Sequence, residues 1–312
     1  MRGKLERVEG KEGPATTVYH IEGGEKLFFF IPGNPGLAEY YVEYLDGIHS
    51  RTEGKFEFFC PSHIGFDTSA ESVKGYMSQR VYSLDEQIEQ KVDLLKQLTA
   101  DKEREVVIMG HSVGSWMVQR VVVRALKEIP HAQIKLVGLL TPTIQDIALS
   151  DKGQLLVKAG QYLTSNPGSL VGRFSQALYW TLPSFALQNV FRLVMKFPPQ
   201  NALDATLEMI SRPNIIQQFI DMGAEEMDRI KEEPGEDISE FWDNNFGYKV
   251  WMFFVPKDHW IKEETKAELI EKYSNLDHVV IEETDDANIQ HAFCVRNYDI
   301  MAEKTTNMIN NL

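Results

Sequence analysis

Short apolar runs with the composition of β-strands alternate along this chain with longer stretches of helical periodicity. The predicted strands span residues 26–31, 56–60, 105–109, 134–140, 249–255 and 278–282. Helical spacing covers residues 84–98 and 112–126, and a last helix is predicted over about 297–309. Strands that alternate with helices form mostly parallel sheets with helices on both faces, so the pattern predicts an α/β fold.

The alternation stops between about residues 145 and 247, where no stretch has the composition of a strand. A structureless connection of that length is uncommon, so we expect an inserted helical cap after strand 134–140. Residues 152–203 contain five basic side chains and no acidic one, although the whole chain has a net charge of −14. The cap is therefore expected to present a cationic surface on an acidic protein.

Two amphipathic helices joined by a proline turn are predicted within this cap, over residues 169–197. Leu187, Phe191 and Val194 share an apolar face of the second helix, opposite the basic Arg192 and Lys196. A cationic amphipathic hairpin with aromatic residues suits the boundary between lipid head groups and acyl chains. These five residues are predicted to attach the protein to a lipid surface. The alternative is that the apolar face covers the protein's own active site.

The composition argues against several other classes of protein. The 312 residues are 43% hydrophobic and 25% charged, which is typical of a globular protein. The net negative charge disfavours a nucleic-acid partner, because phosphate would be repelled. Cys60 and Cys294 are far apart and lack metal-ligand spacing, so we expect two reduced, buried thiols. The first residues lack the apolar core of a signal peptide and no run is apolar enough to span a bilayer, which predicts a protein on the cytosolic side.

The strongest functional signal is Gly110-His111-Ser112-Val113-Gly114, which lies between a predicted strand and a predicted helix. A sharp strand-to-helix turn exposes the serine hydroxyl, and flanking glycines allow the close backbone approach that this turn requires. The start of the helix adds a partial positive field. Ser112 is therefore the predicted nucleophile.

A serine hydroxyl becomes a good nucleophile only when a base accepts its proton. His291 follows the last predicted strand and precedes the final helix, where the base of a hydrolase with this chain order belongs. His259 is a weaker alternative. His111 lies inside the motif itself, and its ring is expected to point away from the serine.

An acidic side chain must orient the imidazole and stabilise its charged form. Asp258 lies three residues after strand 249–255 and is the preferred candidate. Asp146 follows the preceding strand, 134–140, and is the competitor. Asp285 and Asp286 are close to the histidine in sequence, but they are expected to lie on a solvated loop.

The oxyanion of an acyl-transfer reaction needs two preorganised backbone N–H donors. The residue after the nucleophile, Val113, supplies one. The loop at residues 32–36 (PGNPG) follows strand 26–31 and should supply the other. Because Pro35 has no N–H, Asn34 is the predicted second donor.

Together these motifs resemble the lipid-droplet-associated hydrolase family, a branch of the α/β-hydrolases. The resemblance rests on residues 31–36 (IPGNPG), 110–114 (GHSVG), 140–144 (LTPTI) and 291–293 (HAF), with Asp258, and it spans almost the whole chain. It implies one α/β-hydrolase domain over residues 1–312, with Ser112, Asp258 and His291 as catalytic residues. It also implies attachment to lipid droplets and endoplasmic reticulum, esterase activity usually towards sterol esters, and a role in neutral-lipid storage. Many esterases have histidine at position 32, where this chain has proline.

The sequence therefore predicts a serine hydrolase that acts on apolar lipid esters at the cytosolic face of a lipid surface. No metal or organic cofactor is expected. Two alternatives stay open. One is a droplet-binding scaffold protein in which the three catalytic side chains are vestigial. The other is a soluble esterase or thioesterase whose cap never meets a membrane.

Overall fold

Eight strands form a single, mostly parallel sheet in a computed structural model that describes residues 3–9, 14–68, 80–162, 167–231, 238–243 and 247–311. The spatial order is β1-β2-β4-β3-β5-β6-β7-β8. Neighbours from β4 to β8 are parallel, whereas β2 is antiparallel to both β1 and β4. The strands are β1 (Lys4–Val8), β2 (Thr16–Ile21), β3 (Lys26–Ile31), β4 (Phe56–Pro61), β5 (Arg104–His111), β6 (Ala132–Leu140), β7 (Lys249–Phe254) and β8 (Val279–Glu283). The predicted α/β-hydrolase architecture is confirmed.

Twelve α-helices lie within the described residues. Six belong to the sheet layers: α1 (Val42–Arg51), α2 (Leu84–Thr99), α3 (Val113–Glu128), α10 (Glu263–Tyr273), α11 (Phe293–Arg296) and α12 (Tyr298–Asn310). Six lie between β6 and β7: α4 (Asp151–Tyr162), α5 (Pro167–Thr181), α6 (Ser184–Val194), α7 (Gln200–Ser211), α8 (Pro213–Arg229) and α9 (Ser239–Asp243). All six predicted strands and all three predicted sheet-layer helices agree with these bounds to within two residues.

The central strand β3 is apolar along nearly its whole length. It lies between β4 and β5, and both of its faces are covered. All five residues after Lys26, LFFFI, are fully buried. A parallel strand buried on two sides needs apolar residues at every position rather than at alternate ones. This strand delivers its C-terminal loop, residues 32–36, to the C-terminal edge of the sheet beside the end of β5.

Between β6 and β7 the described residues form helices joined by turns, and no strand lies among them. Helices α5 and α6 follow one another across the predicted proline turn, and Pro183 is the residue before α6. Helix α5 packs closely on α8. The approach is so close that a Cβ at Gly172 would lie 2.5 Å from the carbonyl oxygen of Pro213. The small residues of α5 thus face the protein, and its large ones point outwards.

Exposed apolar side chains concentrate on this region. Of the eighteen large hydrophobic residues exposed in the described parts of the chain, fifteen lie between Leu149 and Phe197. On α5, on α6 and just after α6 they include Phe174, Leu178, Trp180, Phe185, Val190, Leu193, Val194 and Phe197. We call these side chains the apolar surface. Large exposed apolar patches commonly mark interaction surfaces.

One predicted attachment residue faces the interior instead. Leu187 is only 3% exposed and Phe191 is half-buried, whereas Val194 is 67% exposed. The reason is that α6 carries apolar residues on more than one face and packs against α7, so one of these faces is covered. The prediction that Leu187 contacts lipid is therefore wrong, whereas Leu193, at 68% exposure, faces outwards.

The expectation of two buried thiols is met. Cys60 and Cys294 are buried and unpaired. None of the helices in the described ranges combines the length and the apolar character that crossing a bilayer requires.

Candidate active site

Ser112 occupies a strained turn between β5 and α3. Its φ of 56° and ψ of −124° lie outside the regions that a serine ordinarily adopts. The turn is possible because both flanking glycines meet backbone. A Cβ at Gly110 would lie 2.2 Å from the carbonyl oxygen of Gly114, and a Cβ at Gly114 would lie 2.4 Å from that of Ile31. The strand-to-helix turn predicted from the motif is present, and the Ser112 side chain is only partly buried.

Three side chains from three different loops form one hydrogen-bonded chain. Ser112 Oγ lies 3.0 Å from Nε2 of His291, and Nδ1 of His291 lies 2.7 Å from Oδ2 of Asp258. The structure thus brings the predicted nucleophile, base and acid together from positions 179 and 33 residues apart. In this arrangement Nδ1–H donates to the carboxylate, which leaves Nε2 free to accept the serine proton.

Asp258 is held ionised by its surroundings. Burial acts to raise the pKa of its carboxyl, but the charge and hydrogen bond of His291 outweigh burial and lower it below its ordinary value. The N–H of Trp260 donates to Oδ1 at 2.9 Å and acts in the same direction. A buried carboxylate with donors on both oxygens can orient an imidazole and stabilise its charged form.

The sequence-level competitors lie elsewhere. His259 is exposed, and its Nδ1 lies 3.4 Å from the carboxylate of Asp151. Asp146 is half-buried, and its backbone carbonyl caps a short turn by accepting from the N–H of Leu149. Asp286 accepts hydrogen bonds from Asn288 on its own loop. Of the acids weighed from the sequence, Asp258 is therefore the one hydrogen-bonded to the histidine.

The loop at residues 32–36 packs directly over the serine. A Cβ at Gly33 would lie 2.9 Å from Nδ1 of His111 and 3.1 Å from Cβ of Ser112, so a larger residue here would push against both neighbours. The N–H groups of Val113 and Asn34 have no hydrogen-bond acceptor among the residues that the structure describes. An oxyanion hole requires two unpaired donors of this kind.

His111, the residue before the serine, links this loop to His291. The N–H of Gly33 donates to the Tyr41 hydroxyl at 2.8 Å, and that hydroxyl donates to Nδ1 of His111 at 2.7 Å. Nε2–H of His111 then donates to the carbonyl oxygen of His291 at 2.9 Å. A carbonyl can only accept, which fixes the His111 tautomer.

This His111 ring stays neutral next to His291. Burial, aided by the charge of His291, lowers the pKa of His111 to about 3. The ring makes its hydrogen bonds away from the serine hydroxyl, as the sequence predicted, but its bond to the His291 backbone was not anticipated. The two residues are 180 positions apart, and no sequence signal joins them.

Metal-ligating geometry occurs at a different place in the fold. Within the described ranges, Glu6, His20 and Glu22 have side-chain atoms close enough together to share an ion. They lie at the β1–β2 edge of the sheet, outside the chain of bonds to Ser112. Both ring nitrogens of His20 already contact carboxylates, Glu6 at 2.7 Å and Glu57 at 2.8 Å.

A hydroxyl, an imidazole and a carboxylate connected in this order can perform acyl transfer. The imidazole accepts the hydroxyl proton during attack on a carbonyl, and the carboxylate stabilises the imidazolium that forms. The free N–H groups can stabilise the negative charge on the carbonyl oxygen. All the groups required for that chemistry are side chains and backbone of this chain.

Solved structures resemble this one over nearly its whole length. A membrane phospholipase A, a bacterial virulence factor, superposes with a TM-score of 0.64 over 99% of this chain and 86% of that one, at 14% identity. A meta-cleavage product hydrolase gives a TM-score of 0.60 over 99% and 98% of the two chains, at 13% identity. At such low identities the likeness establishes the α/β-hydrolase fold alone.

Sequence comparison is more specific. The lipid droplet-associated hydrolase of Homo sapiens is 25% identical over 308 residues, which are 94% of this chain and 88% of that protein. The protein of the same name from Mus musculus is 27% identical over 255 residues, 74% and 72% of the two chains. A family model described as lipid-droplet associated hydrolase matches residues 24–294, a range that holds the loop at 32–36, the turn at 110–114 and His291. This chain therefore belongs to the lipid-droplet associated hydrolase family.

Proposed function

We propose that this protein is a serine hydrolase that cleaves apolar lipid esters, with sterol esters as the preferred class, and so contributes to neutral-lipid storage. The hydrogen-bonded chain from Ser112 through His291 to Asp258, at a strained strand-to-helix turn, is the observation that carries the proposal. The names of the curated relatives support lipid droplets as its place of action. We place it on the cytosolic face of droplets and endoplasmic reticulum.

The reaction begins when Ser112 Oγ attacks the ester carbonyl and His291 Nε2 takes the hydroxyl proton. A tetrahedral intermediate forms, and its oxyanion accepts hydrogen bonds from the N–H groups of Val113 and Asn34. The intermediate collapses when the carbon–oxygen bond to the alcohol breaks. His291 gives its proton to the leaving alcohol, and the acyl group stays on the serine.

Water completes the cycle by the same steps in reverse order. His291 removes a proton from water as the oxygen attacks the acyl-enzyme. The second tetrahedral intermediate releases the carboxylic acid and returns the proton to Ser112. Asp258 keeps the imidazole oriented throughout.

The apolar surface is our candidate for contact with the lipid monolayer. Phe185, Leu193 and Val194 are each at least 67% exposed, and Phe174 and Trp180 extend the same surface. Arg192 and Lys196, on and just after α6, are placed to meet lipid head groups. Amphipathic helices of this kind insert their apolar side to the depth of the acyl boundary while their basic groups stay in water.

A fluorophosphonate probe tests the enzyme class. Wild-type protein should be labelled and the Ser112→Ala variant should not, with both showing the same circular dichroism. Hydrolysis of a cholesteryl ester emulsion and of a short-chain p-nitrophenyl ester then compares the substrate classes, and flotation with phospholipid-coated droplets measures attachment.

Each alternative has its own outcome in this experiment. A folded protein that floats but neither reacts with the probe nor hydrolyses either ester is a droplet-binding scaffold. A labelled protein that hydrolyses the soluble ester but never floats is a soluble esterase or thioesterase. Hydrolysis of short esters alone, with flotation, contradicts only the sterol-ester assignment.

A further inference from the structure

The side chain of Asn34 leaves the loop over the serine and inserts against the cap. Its Nδ2 donates to the carbonyl oxygen of Phe219 at 3.0 Å and to Oε1 of Glu226 at 2.8 Å. Both acceptors belong to α8, and they lie 185 and 192 residues further along the chain. One amide group therefore ties the residue that we propose as an oxyanion donor to a cap helix.

Glu226 is an uncommon residue at such a place. It is only 4% exposed, and among the described residues its side chain bonds to the Asn34 amide. Burial raises the pKa of Glu226 to about 8; the Asn34 hydrogen bond acts to lower it, and the nearby charge of Glu225 acts to raise it. The carboxyl is thus neutral near neutral pH, because a buried carboxylate without a countercharge is costly.

The charged side chains near Glu226 already have partners of their own. Glu225 accepts from the N–H of Leu84 and from Arg229, and Arg229 also pairs with Asp85 on α2. The loop at residues 32–36 has no titratable side chain. Among the described residues, the charged group that acts on the Glu226 carboxyl is therefore Glu225.

The loop over the serine has two anchors, one on each side. The N–H of Gly33 bonds to Tyr41 in the body of the protein, and the Asn34 side chain bonds to α8 in the cap. The peptide between these anchors carries the N–H of Asn34 that we propose for the oxyanion. An oxyanion donor is effective only if its direction is fixed before the charge develops.

We infer that Glu226 is a positioning residue that holds the oxyanion loop in its working conformation by accepting a hydrogen bond from the Asn34 side chain. It touches neither substrate nor the reacting atoms in this role. The inference rests on the proposed function, because it concerns the oxyanion site of that same reaction. The cap is thereby part of the catalytic arrangement as well as a cover for it.

Steady-state kinetics on a soluble short-chain p-nitrophenyl ester, measured from about pH 6 to 9.5, tests this role with three variants. Glu226→Leu removes the acceptor, so kcat should fall by about 10- to 100-fold while KM changes little, as for a partly misplaced oxyanion donor. Glu226→Gln keeps a carbonyl acceptor and should retain kcat within about threefold at neutral pH. Gln218→Leu, which also replaces a buried polar residue of α8 but contacts Tyr82 instead of the loop, is the matched control.

The pH profile separates positioning from packing. In the wild type, kcat should decline as pH rises through about 8, because an ionised Glu226 places a negative charge close to the developing oxyanion. The Glu226→Gln variant has no such ionisation and should lack that decline. Equal losses of kcat in Glu226→Leu and Gln218→Leu, or an unchanged alkaline decline in Glu226→Gln, would overturn the inference.

The Ser112→Ala variant in the same assay distinguishes failure of the proposed function from failure of the role assigned to Glu226. If Ser112→Ala retains turnover, the proposed function itself fails. If Ser112→Ala is inactive while a folded Glu226→Leu variant has wild-type kcat, only the role of Glu226 is disproved. Should Glu226→Leu fail to fold, the pH profile of Glu226→Gln decides alone.

Discussion

Asp258 holds the His291 ring by a 2.7 Å bond, and this contact makes the acid assignment testable. Replacing Asp258 by Asn keeps the size of the side chain but removes the charge that favours the imidazolium. The ring can then settle in the wrong tautomer, and kcat should fall by about 10⁴-fold. Hydrolysis of a p-nitrophenyl ester measures this loss.

Asp146→Asn is the matched control, since Asp146 was the competing acid in the sequence. Its backbone carbonyl is the group that caps the turn at Leu149. We expect wild-type kcat from this variant. A large loss in Asp146→Asn together with full activity in Asp258→Asn would reverse the assignment.

His111 gives a second prediction at this scale. His111→Leu removes one of the donors to the His291 carbonyl, which also accepts from the N–H of Phe293 at 2.9 Å, whereas His111→Gln can present an amide N–H in a similar position. We expect kcat to fall about fivefold more in the leucine variant, since the base loop loses a hydrogen bond of about 1 kcal/mol. Equal kcat in the two folded variants would mean that the ring acts only by packing.

Glu226 also makes stability depend on pH. Its folded-state pKa, about 8, is raised above the ordinary value of 4.5, so the folded state binds the proton more tightly than the unfolded chain does. This contribution is complete below about pH 4.5 and is lost as pH rises towards 8. We therefore expect the difference in melting temperature between Glu226→Gln and the wild type to favour the variant more at pH 8 than at pH 5. Differential scanning fluorimetry at both values measures the change, and a constant difference would contradict it.

The order and context of single residues selected three side chains that the structure brings together, but not the groups that hold them in place. Ser112, Asp258 and His291 each end or follow a strand, and chain order distinguishes their roles. The bonds from His111 to the His291 backbone and from Asn34 to Glu226 join residues 180 and 192 positions apart. Such pairings arise only after the sheet and the cap have packed, so no local pattern indicates them.

At the level of elements, the parallel strands were predictable and the antiparallel edge was not. Strands such as β3 are apolar throughout because both faces are buried. Strand β1, KLERV, is largely exposed, and β2 begins with two buried threonines. The hydroxyls of Thr16 and Thr17 are satisfied by Ser62 and Asp67, which lie beyond β4. Because of these polar residues, the sequences of β1 and β2 lack the apolar pattern by which a strand is recognised. The polar partners of β2 also lie far away in the sequence.

Helix α6 allows attachment to be separated from folding. Phe185, Leu193 and Val194 are exposed, so replacing all three with serine should release the protein from droplets without lowering its stability. Each apolar side chain that is fully buried in a lipid boundary contributes about 1.5–3 kcal/mol, and three such losses exceed a marginal surface affinity. Droplet flotation measures binding, and thermal unfolding measures stability.

Leu187→Ser is the matched control on the same helix. Leu187 is 3% exposed, and its loss should destabilise the cap by about 2–5 kcal/mol, as for other buried leucines, while any folded fraction still floats. A triple variant that stays on droplets with its fold intact would show that another surface makes the attachment.

Positive charge and exposed apolar side chains are concentrated in the same part of the molecule. Residues 152–203 carry a charge of +5 within a total of −14, so the rest of the chain carries −19. The same region, from Leu149 to Phe197, holds fifteen of the eighteen exposed large hydrophobic residues in the described parts of the chain. An anionic lipid surface would attract this end of the molecule and repel the remainder, which favours approach with the cap foremost.

Charge reversal at Arg192 and Lys196 tests how much of the attachment this field provides. Head-group attraction is about 1 kcal/mol per basic residue near an anionic surface, less than the contribution of a fully inserted apolar side chain. The double variant with glutamate at both positions should therefore bind anionic droplets more weakly than the wild type, but more strongly than the triple serine variant.

Salt then distinguishes the two contributions. Raising ionic strength from about 0.1 M to 1 M shortens the Debye length from about 10 Å to 3 Å, so the double variant and the wild type should float to the same extent at high salt. The triple serine variant should stay unbound at both salt concentrations, because insertion of apolar side chains is not screened. If the double variant instead binds worse than the triple variant at low salt, and the wild type dissociates at high salt, attachment is chiefly electrostatic and the exposed aromatic and aliphatic side chains of α5 and α6 serve another contact.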